Sequence, residues 1–347
     1  MILFRADGNT NIGVGHVMRC LSIADAMKRR GEESVFVTSD DTYFALITGR
    51  GYKCEILGSD YRDYSTNGVG LKAFEKLICE LMPCLLVVDS YFVTKEWFES
   101  VSKSLCEYGG KLVYMDDYGD ADWNVDAIVN YNIYATKKSS KHISGAEYAP
   151  IREMFVGLSK RKQPLECKKI LISTGGADMA HVGIGLIKRI LSMDTCEYKF
   201  DFLVGSANPD LSEIEELIGK DENGQDKSER ITLFKSVSDM KSVILDCDVA
   251  ISASGSTLYE LCACGVPTVT YAMADNQLKG NKAFGELGLM VSVGDVRDVD
   301  DTPGMIMNAA FGLCEDYEKR EEMGERMQKL IDGKGADRLA ERLLGLN

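Results

Sequence analysis

Short β-branched or apolar runs alternate with longer amphipathic stretches along nearly the whole chain, and no other feature restricts its fold as tightly. In the first half, residues 2–5, 34–38, 54–57, 85–89, 112–115 and 127–130 read as strands, with helical stretches such as 14–30 and 71–81 between them. Around 159–169 the pattern breaks into a polar, basic segment, SKRKQPLECKK, which contains Pro164. The alternation then restarts, with strands expected at 169–173, 199–204, 231–234, 249–252, 268–271 and 290–293 and a helix over 180–192. Strands that alternate with helices are joined by crossovers, so they lie parallel, with helices on both faces. The expectation is an α/β protein of two Rossmann-like domains whose parallel sheets face a central cleft. Its bounds are 1–160 for the N-terminal domain, 165–335 for the C-terminal domain and 336–347 for a C-terminal helix, with 159–169 as linker and hinge. The length of 347 residues agrees with roughly two domains at ~150 residues each. The acidic stretch 219–229 reads as a surface loop, and 317–346 as charged and helical, broken at residues 333–335.

Composition removes whole classes of function. Lys and Arg total 40 against 54 Asp and Glu, a net charge of −14. A nucleic-acid surface needs a basic patch or stripe that this chain does not offer, so no nucleic-acid partner is expected. No apolar run reaches the ~18 residues of a membrane span, and the opening MILFRADGN is too short an apolar stretch for a signal peptide. A cytoplasmic protein without a membrane partner is expected. The 11 cysteines are scattered, no CxxC pair occurs, and there are 3 histidines. Cys79, Cys84, Cys247 and Cys262 read as thiols in apolar settings, and Cys262 with Cys264 lacks the spacing and partners of a zinc pair. Reduced structural thiols are expected, with no metal and no cofactor.

In open α/β sheets ligands bind beyond the carboxyl ends of the strands, so the residues after each strand are the candidates for chemistry. After the first strand comes ADGNTNIGVGHVMRC, a glycine-containing loop that opens a helix. It is a poor dinucleotide fingerprint, because Met18 stands at the third glycine position and the loop is long. Gly13 and Gly15 still permit close approach of a ligand to backbone N–H groups. His16 sits at the first helical turn, either as a structural histidine or as a general base. Arg5 and Asp7 flank the same loop. Asp89 with Ser90 and Tyr91, Asp116 with Asp117, and Asn130–Tyr131–Asn132 follow later strands. Each aspartate is a ligand group or a turn-forming residue. In the second half, ISTGGADMAH carries Gly175, Gly176 and Asp178, which make a plain strand–helix turn or a phosphate loop. ISASGSTLYE carries Ser254, Gly255 and Ser256, whose N–H groups and hydroxyls suit a pyrophosphate, and Glu260, placed for a ribose diol. It is no nucleophile elbow, since Gly is missing at Ser252. YAMADNQ adds Asn276 and Gln277.

These motifs, in this order, resemble the UDP-2,4-diacetamido-2,4,6-trideoxy-β-L-altropyranose hydrolases of pseudaminic acid biosynthesis, a family that overlaps the spore coat polysaccharide biosynthesis proteins. The resemblance spans roughly residues 1–289 and is carried by FRADGNTNIGVGHVMRCLSIA, VVDSYFV, YMDD, NYNIYA, GAEYAPIREMF, STGGADMAH, ISASGSTLYE and ADNQ. It implies a GT-B architecture and hydrolysis of a UDP-sugar at the anomeric carbon with inversion. It also implies His16 as the base that activates water, no metal, and a small-molecule UDP-sugar partner. Tyr259 departs from it, standing where some members carry an amide. Three rivals stand beside this expectation: a GT-B glycosyltransferase using a UDP-N-acetyl sugar, a hydrolysing UDP-sugar 2-epimerase, and a noncatalytic nucleotide-sugar sensor.

Overall fold

In the computed structural model the chain forms two parallel sheets, each covered by helices. The structure describes residues 1–346 except 10, 120, 206, 221, 226 and 236. Thus Thr10 of the first glycine loop, Asp221 and Asp226 of the 219–229 loop, and Asn347 of the expected terminal helix lie outside the described residues.

The elements of the first sheet and its helices are β1 (Ile2–Ala6), α1 (Gly15–Lys28), β2 (Ser34–Thr38), α2 (Phe44–Gly49), β3 (Lys53–Ile56), α3 (Val69–Leu81), β4 (Leu85–Asp89), α4 (Lys95–Cys106), β5 (Lys111–Met115), β6 (Ala127–Asn130) and β7 (His142–Ser144). Their order in space is β3-β2-β1-β4-β5-β6-β7, and every neighbouring pair is parallel. β1, β2 and β4 are buried along their whole length, as central parallel strands covered on both faces must be. β3 closes one edge and exposes Lys53 and Glu55, charges that discourage pairing with another chain. One face packs Leu3, Val35, Val88, Phe74 and Trp97 into a core in which the rings of Phe74 and Trp97 stack at 5.6 Å. β7 has three residues, too few to carry a strand pattern, and is recruited by pairing with β6.

The second series is β8 (Lys169–Ser173), α5 (Val182–Leu191), β9 (Lys199–Val204), α6 (Leu211–Ile218), β10 (Ile231–Lys235), α7 (Met240–Leu245), β11 (Val249–Ala253), α8 (Thr257–Cys264), β12 (Thr268–Ala272), α9 (Asp275–Glu286), β13 (Val291–Asp295), α10 (Thr302–Glu315), α11 (Tyr317–Leu330) and α12 (Gly335–Leu344). The second sheet runs β10-β9-β8-β11-β12-β13, again all parallel. Both sheets therefore reverse their strand order once, between β1 and β4 and between β8 and β11.

The division of the chain differs from the expected bounds. One unit comprises Met1–Glu153 with Lys334–Asn347, the other Met154–Gly333. α12 packs on α1 and belongs to the first unit, held by Asp337, which accepts from Arg29 and Arg30 at 2.9 Å each. The segment 159–169 is no free linker either, since it is bound into the second unit. Its Arg161 donates to the carbonyls of Leu245 and Cys247, and its Gln163 to that of Gly265 at 2.9 Å. Arg161, whose charge suggests solvation in the sequence, satisfies carbonyls at the end of α7, and the neutral Gln163 satisfies one at the end of α8. Two further expectations fail locally. Cys79 and Cys84 are exposed rather than set among apolar groups, because they fall at the solvent-facing side of α3 and at the start of β4.

Arg320 fastens the same segment from the other side. It is fully buried and donates to the carbonyls of Leu313, Cys314, Pro164 and Leu165. Replacing Arg320 by Ala should lower stability by at least roughly 1.5–3 kcal/mol, the range for a hydrogen bond to a charged group. Urea unfolding measures it, and an unchanged midpoint would remove this role.

Candidate functional site

The strand order of the first sheet gathers residues that are far apart in sequence. β1, β4, β5 and β6 are neighbours, and Ala6 pairs in register with Asp89. The loop after β1, the last residue of β4, and the turns after β5 and β6 therefore share one end of the sheet, at its reversal point. There His16 Nδ1 lies 2.6 Å from Asp89 Oδ1. Arg19, one turn further along α1, donates to Asp89 through Nε at 2.5 Å and Nη2 at 2.5 Å. Its third nitrogen, Nη1, reaches Asp117 Oδ1 at 2.8 Å and the Tyr131 hydroxyl at 2.9 Å. Tyr91 donates to Asp117 Oδ2 at 2.8 Å and stands edge-on to the His16 ring at 4.5 Å. Asn132 Nδ2 approaches Asp117 Oδ1 at 3.3 Å.

Electrostatics fixes the protonation of this cluster. Asp89 has no exposed surface, and burial alone would raise its pKa. The charge of Arg19 and the hydrogen bonds from Arg19 and His16 outweigh that and hold it well below the usual carboxylate range. An ionised carboxylate only accepts, so the His16 nitrogen facing it carries the hydrogen. The lone pair of the neutral ring then sits on Nε2, which has no protein hydrogen-bond partner among the described residues. Burial lowers the pKa of Arg19, but Asp117 and Asp89 raise it well above its ordinary value, so the guanidinium stays charged. Burial pushes the Tyr131 hydroxyl up to about 12, and burial together with the charge of Asp89 pushes the Cys20 thiol upward, so both remain neutral.

The other sequence-derived residues of this unit divide by role. Asp116 is the turn former, accepting from the amides of Tyr118 and Gly119 at 3.1 and 3.0 Å. Arg5 and Asp7 are buried and hold each other at 2.6 Å, and they engage Ser39 and Tyr64. They brace the ends of β1 and β2 beneath the loop, and their polar groups face protein. Gly13 adopts φ +72° and its amide donates to Asn9 O at 2.8 Å, closing the loop just before α1; Gly15 is the first residue of that helix. Arg19 is absent from the sequence-based candidates. Its spacing of three from His16, which puts both on one helix face, is the signal that could have found it.

In the second unit β8, β11 and β12 are neighbours, so the loops after them also meet at a reversal point. Gly176 approaches Gly205 so closely that a Cβ on Gly205 would lie 2.4 Å from the Gly176 carbonyl oxygen. Gly175 takes φ +83°. Asp178 is fully buried and accepts from the amides of Val182 and Gly183 at 3.1 and 2.6 Å, which makes it a cap for α5 instead of a ligand group. Ser254 Oγ is engaged by Thr270 Oγ1 at 2.8 Å and by Asn281 Nδ2 at 2.9 Å. Gly255 and Ser256 are exposed at the start of α8, and a Cβ on Gly255 would meet nothing within 4 Å. Glu260 is buried one turn into α8. Gln277 Oε1 accepts from the Met273 amide at 2.9 Å, and Asn276 precedes it in the first turn of α9. A groove of about 830 Å³ bordered by Asn281, Ser292 and Arg326 contains none of the sequence-derived site residues. Among the described residues no group of three or more His, Cys, Asp or Glu side chains is arranged to hold a metal, and no helix is long and apolar enough to cross a membrane.

No family model matches the chain. It is 23% identical over 349 residues to the spore coat polysaccharide biosynthesis protein SpsG of Bacillus subtilis, covering 96% of this chain and 95% of that protein. It is 23% identical over 278 residues to the pseudaminic acid cytidylyltransferase and UDP-2,4-diacetamido-2,4,6-trideoxy-β-L-altropyranose hydrolase of Helicobacter pylori, covering 80% of this chain and 45% of that protein. With the uncharacterized protein MJ1062 of Methanocaldococcus jannaschii it shares 25% identity over 279 residues, 76% of this chain and 54% of the relative. The chain thus spans about half the length of two of these relatives. The resemblance read from the motifs is met by the first two. Among solved structures, MurG of Acinetobacter baumannii superposes with a TM-score of 0.66 at 12% identity over 99% of both chains. A UDP complex of Staphylococcus aureus MnaA gives 0.66 at 13%, covering 100% of this chain and 97% of that one. The spinosyn rhamnosyltransferase SpnG with thymidine diphosphate gives 0.68 at 10%, covering 99% and 100%. At such identities the likeness is one of fold, and the fold is the GT-B type with two Rossmann-like domains.

The depressed Asp89 pKa has a consequence for stability. Its folded value lies below the unfolded value of ~3.9. The stabilisation is therefore complete above about pH 4 and is lost as pH falls through the folded value. Asp89→Asn should lower stability at neutral pH and flatten the acid limb below about pH 4. Thermal unfolding across that range checks it, and an acid limb as steep as that of the unaltered protein would contradict it.

Proposed function

We propose that the chain hydrolyses a UDP-linked diacetamido-trideoxy sugar at its anomeric carbon, releasing UDP and the free sugar. The observation that carries this reading is the His16–Asp89 pair at the reversal point of the first sheet. A neutral imidazole whose Nδ1–H is held by a carboxylate presents Nε2 as a proton acceptor, the arrangement a general base requires. In this reading Nε2 of His16 takes a proton from water as the oxygen attacks C1. The bond from C1 to the UDP oxygen breaks with inversion, and UDP departs without protonation. The role of the second unit is to hold the nucleotide. The exposed start of α8 at Gly255 and Ser256 is assigned to the pyrophosphate, with the Ser256 amide as donor because the Gly255 amide donates to Ala253 O at 2.8 Å, and Glu260 is assigned to the ribose. The relation to the Helicobacter pylori protein, one part of whose name is such a hydrolase, supports the choice of substrate class.

A second reading, a glycosyltransferase with a UDP-N-acetyl sugar donor, draws on the fold shared with the rhamnosyltransferase SpnG. The two part on one measurement. Incubation with a panel of UDP-diacetamido sugars and no acceptor should release UDP, and in ¹⁸O water the label should enter the sugar at C1. UDP release only on addition of an acceptor favours the transferase, and label in UDP means attack at phosphorus. His16→Asn should reduce turnover ~10²–10⁴-fold with UDP affinity nearly unchanged. Near-normal turnover in that variant would remove His16 from the reaction.

UDP binding is testable by itself. A ligand that binds only the folded state raises the melting temperature. UDP should do so, and Glu260→Ala should shrink the shift. No shift at millimolar UDP would overturn the nucleotide assignment.

A further inference from the structure

We propose that Arg19 is a positioning residue for His16, acting through Asp89. The geometry is specific. One guanidinium edge meets both oxygens of Asp89, Nε to Oδ2 and Nη2 to Oδ1, each at 2.5 Å. That two-point grip fixes the plane of the carboxylate, and Oδ1 of the same group faces His16 Nδ1 at 2.6 Å. The opposite edge of the guanidinium is fixed in turn by Asp117 at 2.8 and 3.0 Å and by the Tyr131 hydroxyl, with the Arg19 carbon 5.5 Å from the Tyr131 ring centre. Five hydrogen bonds to Asp89, Asp117 and Tyr131 thus hold a side chain with 7% of its surface exposed. Arg19 Nη2 also lies 3.1 Å from His16 Nδ1, but both nitrogens are donors that converge on Asp89 Oδ1, so the carboxylate is what couples them.

Charge makes the role more than mechanical. Asp89 and Asp117 against Arg19 leave one net negative charge beside a neutral His16. When the ring accepts a proton the cluster becomes neutral, so the arrangement favours the imidazolium that base catalysis forms. Without Arg19 two carboxylates would face His16 with no cation between them, and the imidazole is more basic than either, so the ring would take up a proton and be held as the imidazolium. Nε2, the nitrogen that has to be free, would then carry a hydrogen. The catalytic meaning of this rests on reading His16 as the base, whereas the tautomer itself is a property of the resting protein.

The test reads the two separately. With ¹⁵N-labelled histidine only His16, His142 and His181 contribute ring signals, and long-range ¹H–¹⁵N spectra report which nitrogen bears the hydrogen. The unaltered protein, without ligand, should show His16 as the Nδ1–H form. Arg19→Met should shift His16 towards a ring with hydrogen on Nε2, as the doubly protonated form, and lower kcat on the UDP-sugar by up to ~10⁴-fold, the scale of loss when the wrong nitrogen of a carboxylate–histidine pair carries the hydrogen. UDP affinity should be unchanged. Arg19→Lys keeps the charge but not the two-point grip. It should give mixed tautomers and a fall in kcat of ~10–100-fold with KM little altered, and it decides the matter if Arg19→Met does not fold. A folded Arg19→Met protein that retains the Nδ1–H form, or an Arg19→Lys protein with unaltered tautomer and kcat, overturns the proposal. Failure of the unaltered protein to hydrolyse any UDP-sugar would sink the hydrolase reading and leave the tautomer result to decide Arg19.

Discussion

The parallel register between β1 and β4 is the constraint on which the first unit's candidate site depends. These strands are neighbours in space although 78 residues separate the end of one from the start of the other. Their crossovers run to opposite sides, so the sheet reverses there, and the chain ends of both strands face the same opening. Asp89 is the last residue of β4, opposite Ala6. Because α1 begins soon after β1, its first turn passes over that carboxylate. His16 and Arg19 reach it from one helix face, and a buried anion without such partners would be strongly destabilising.

The second unit repeats the topology with different chemistry at the reversal. Its loop residues form a neutral chain in which Ser254 meets Thr270 and Asn281, and Asn281 Oδ1 accepts from Ser292 at 2.5 Å. No charged side chain takes part in these bonds. The network rigidifies the turn after β11, and Gly255 and Ser256 beside it are exposed. The two reversal points thus differ: one concentrates charge around a titratable ring, and the other presents small residues at a helix start.

Legibility in the sequence followed burial. Ile2–Ala6, Leu85–Asp89 and Val249–Ala253 are predominantly apolar runs, each with one polar residue at or next to its carboxyl end (Arg5, Asp89, Ser252), and their bounds were readable to within a residue. β7 was not, because three residues carry no period. Arg161 lay in a segment read as a linker, and neither Arg19 nor Arg320 was singled out in the sequence. A basic side chain reads as solvent-facing, and only packing reveals that its N–H groups close carbonyls or carboxylates in the interior.

The amino-acid order by itself determined the α/β class, two successive sheets, and the loops after strands as the places for polar chemistry. Those features rest on local periodicity and on glycine and small residues at strand ends. Tertiary structure decided which of the aspartates matter and how. Asp89, Asp116, Asp117 and Asp178 look alike in sequence, each near a strand end. One is ionised beside His16 and Arg19, one closes a turn, one anchors the far side of Arg19, and one caps α5. The physical reason is that a carboxylate's role is set by the donors that surround it, and those donors come from strands and helices whose neighbourhood exists only once the sheet is ordered.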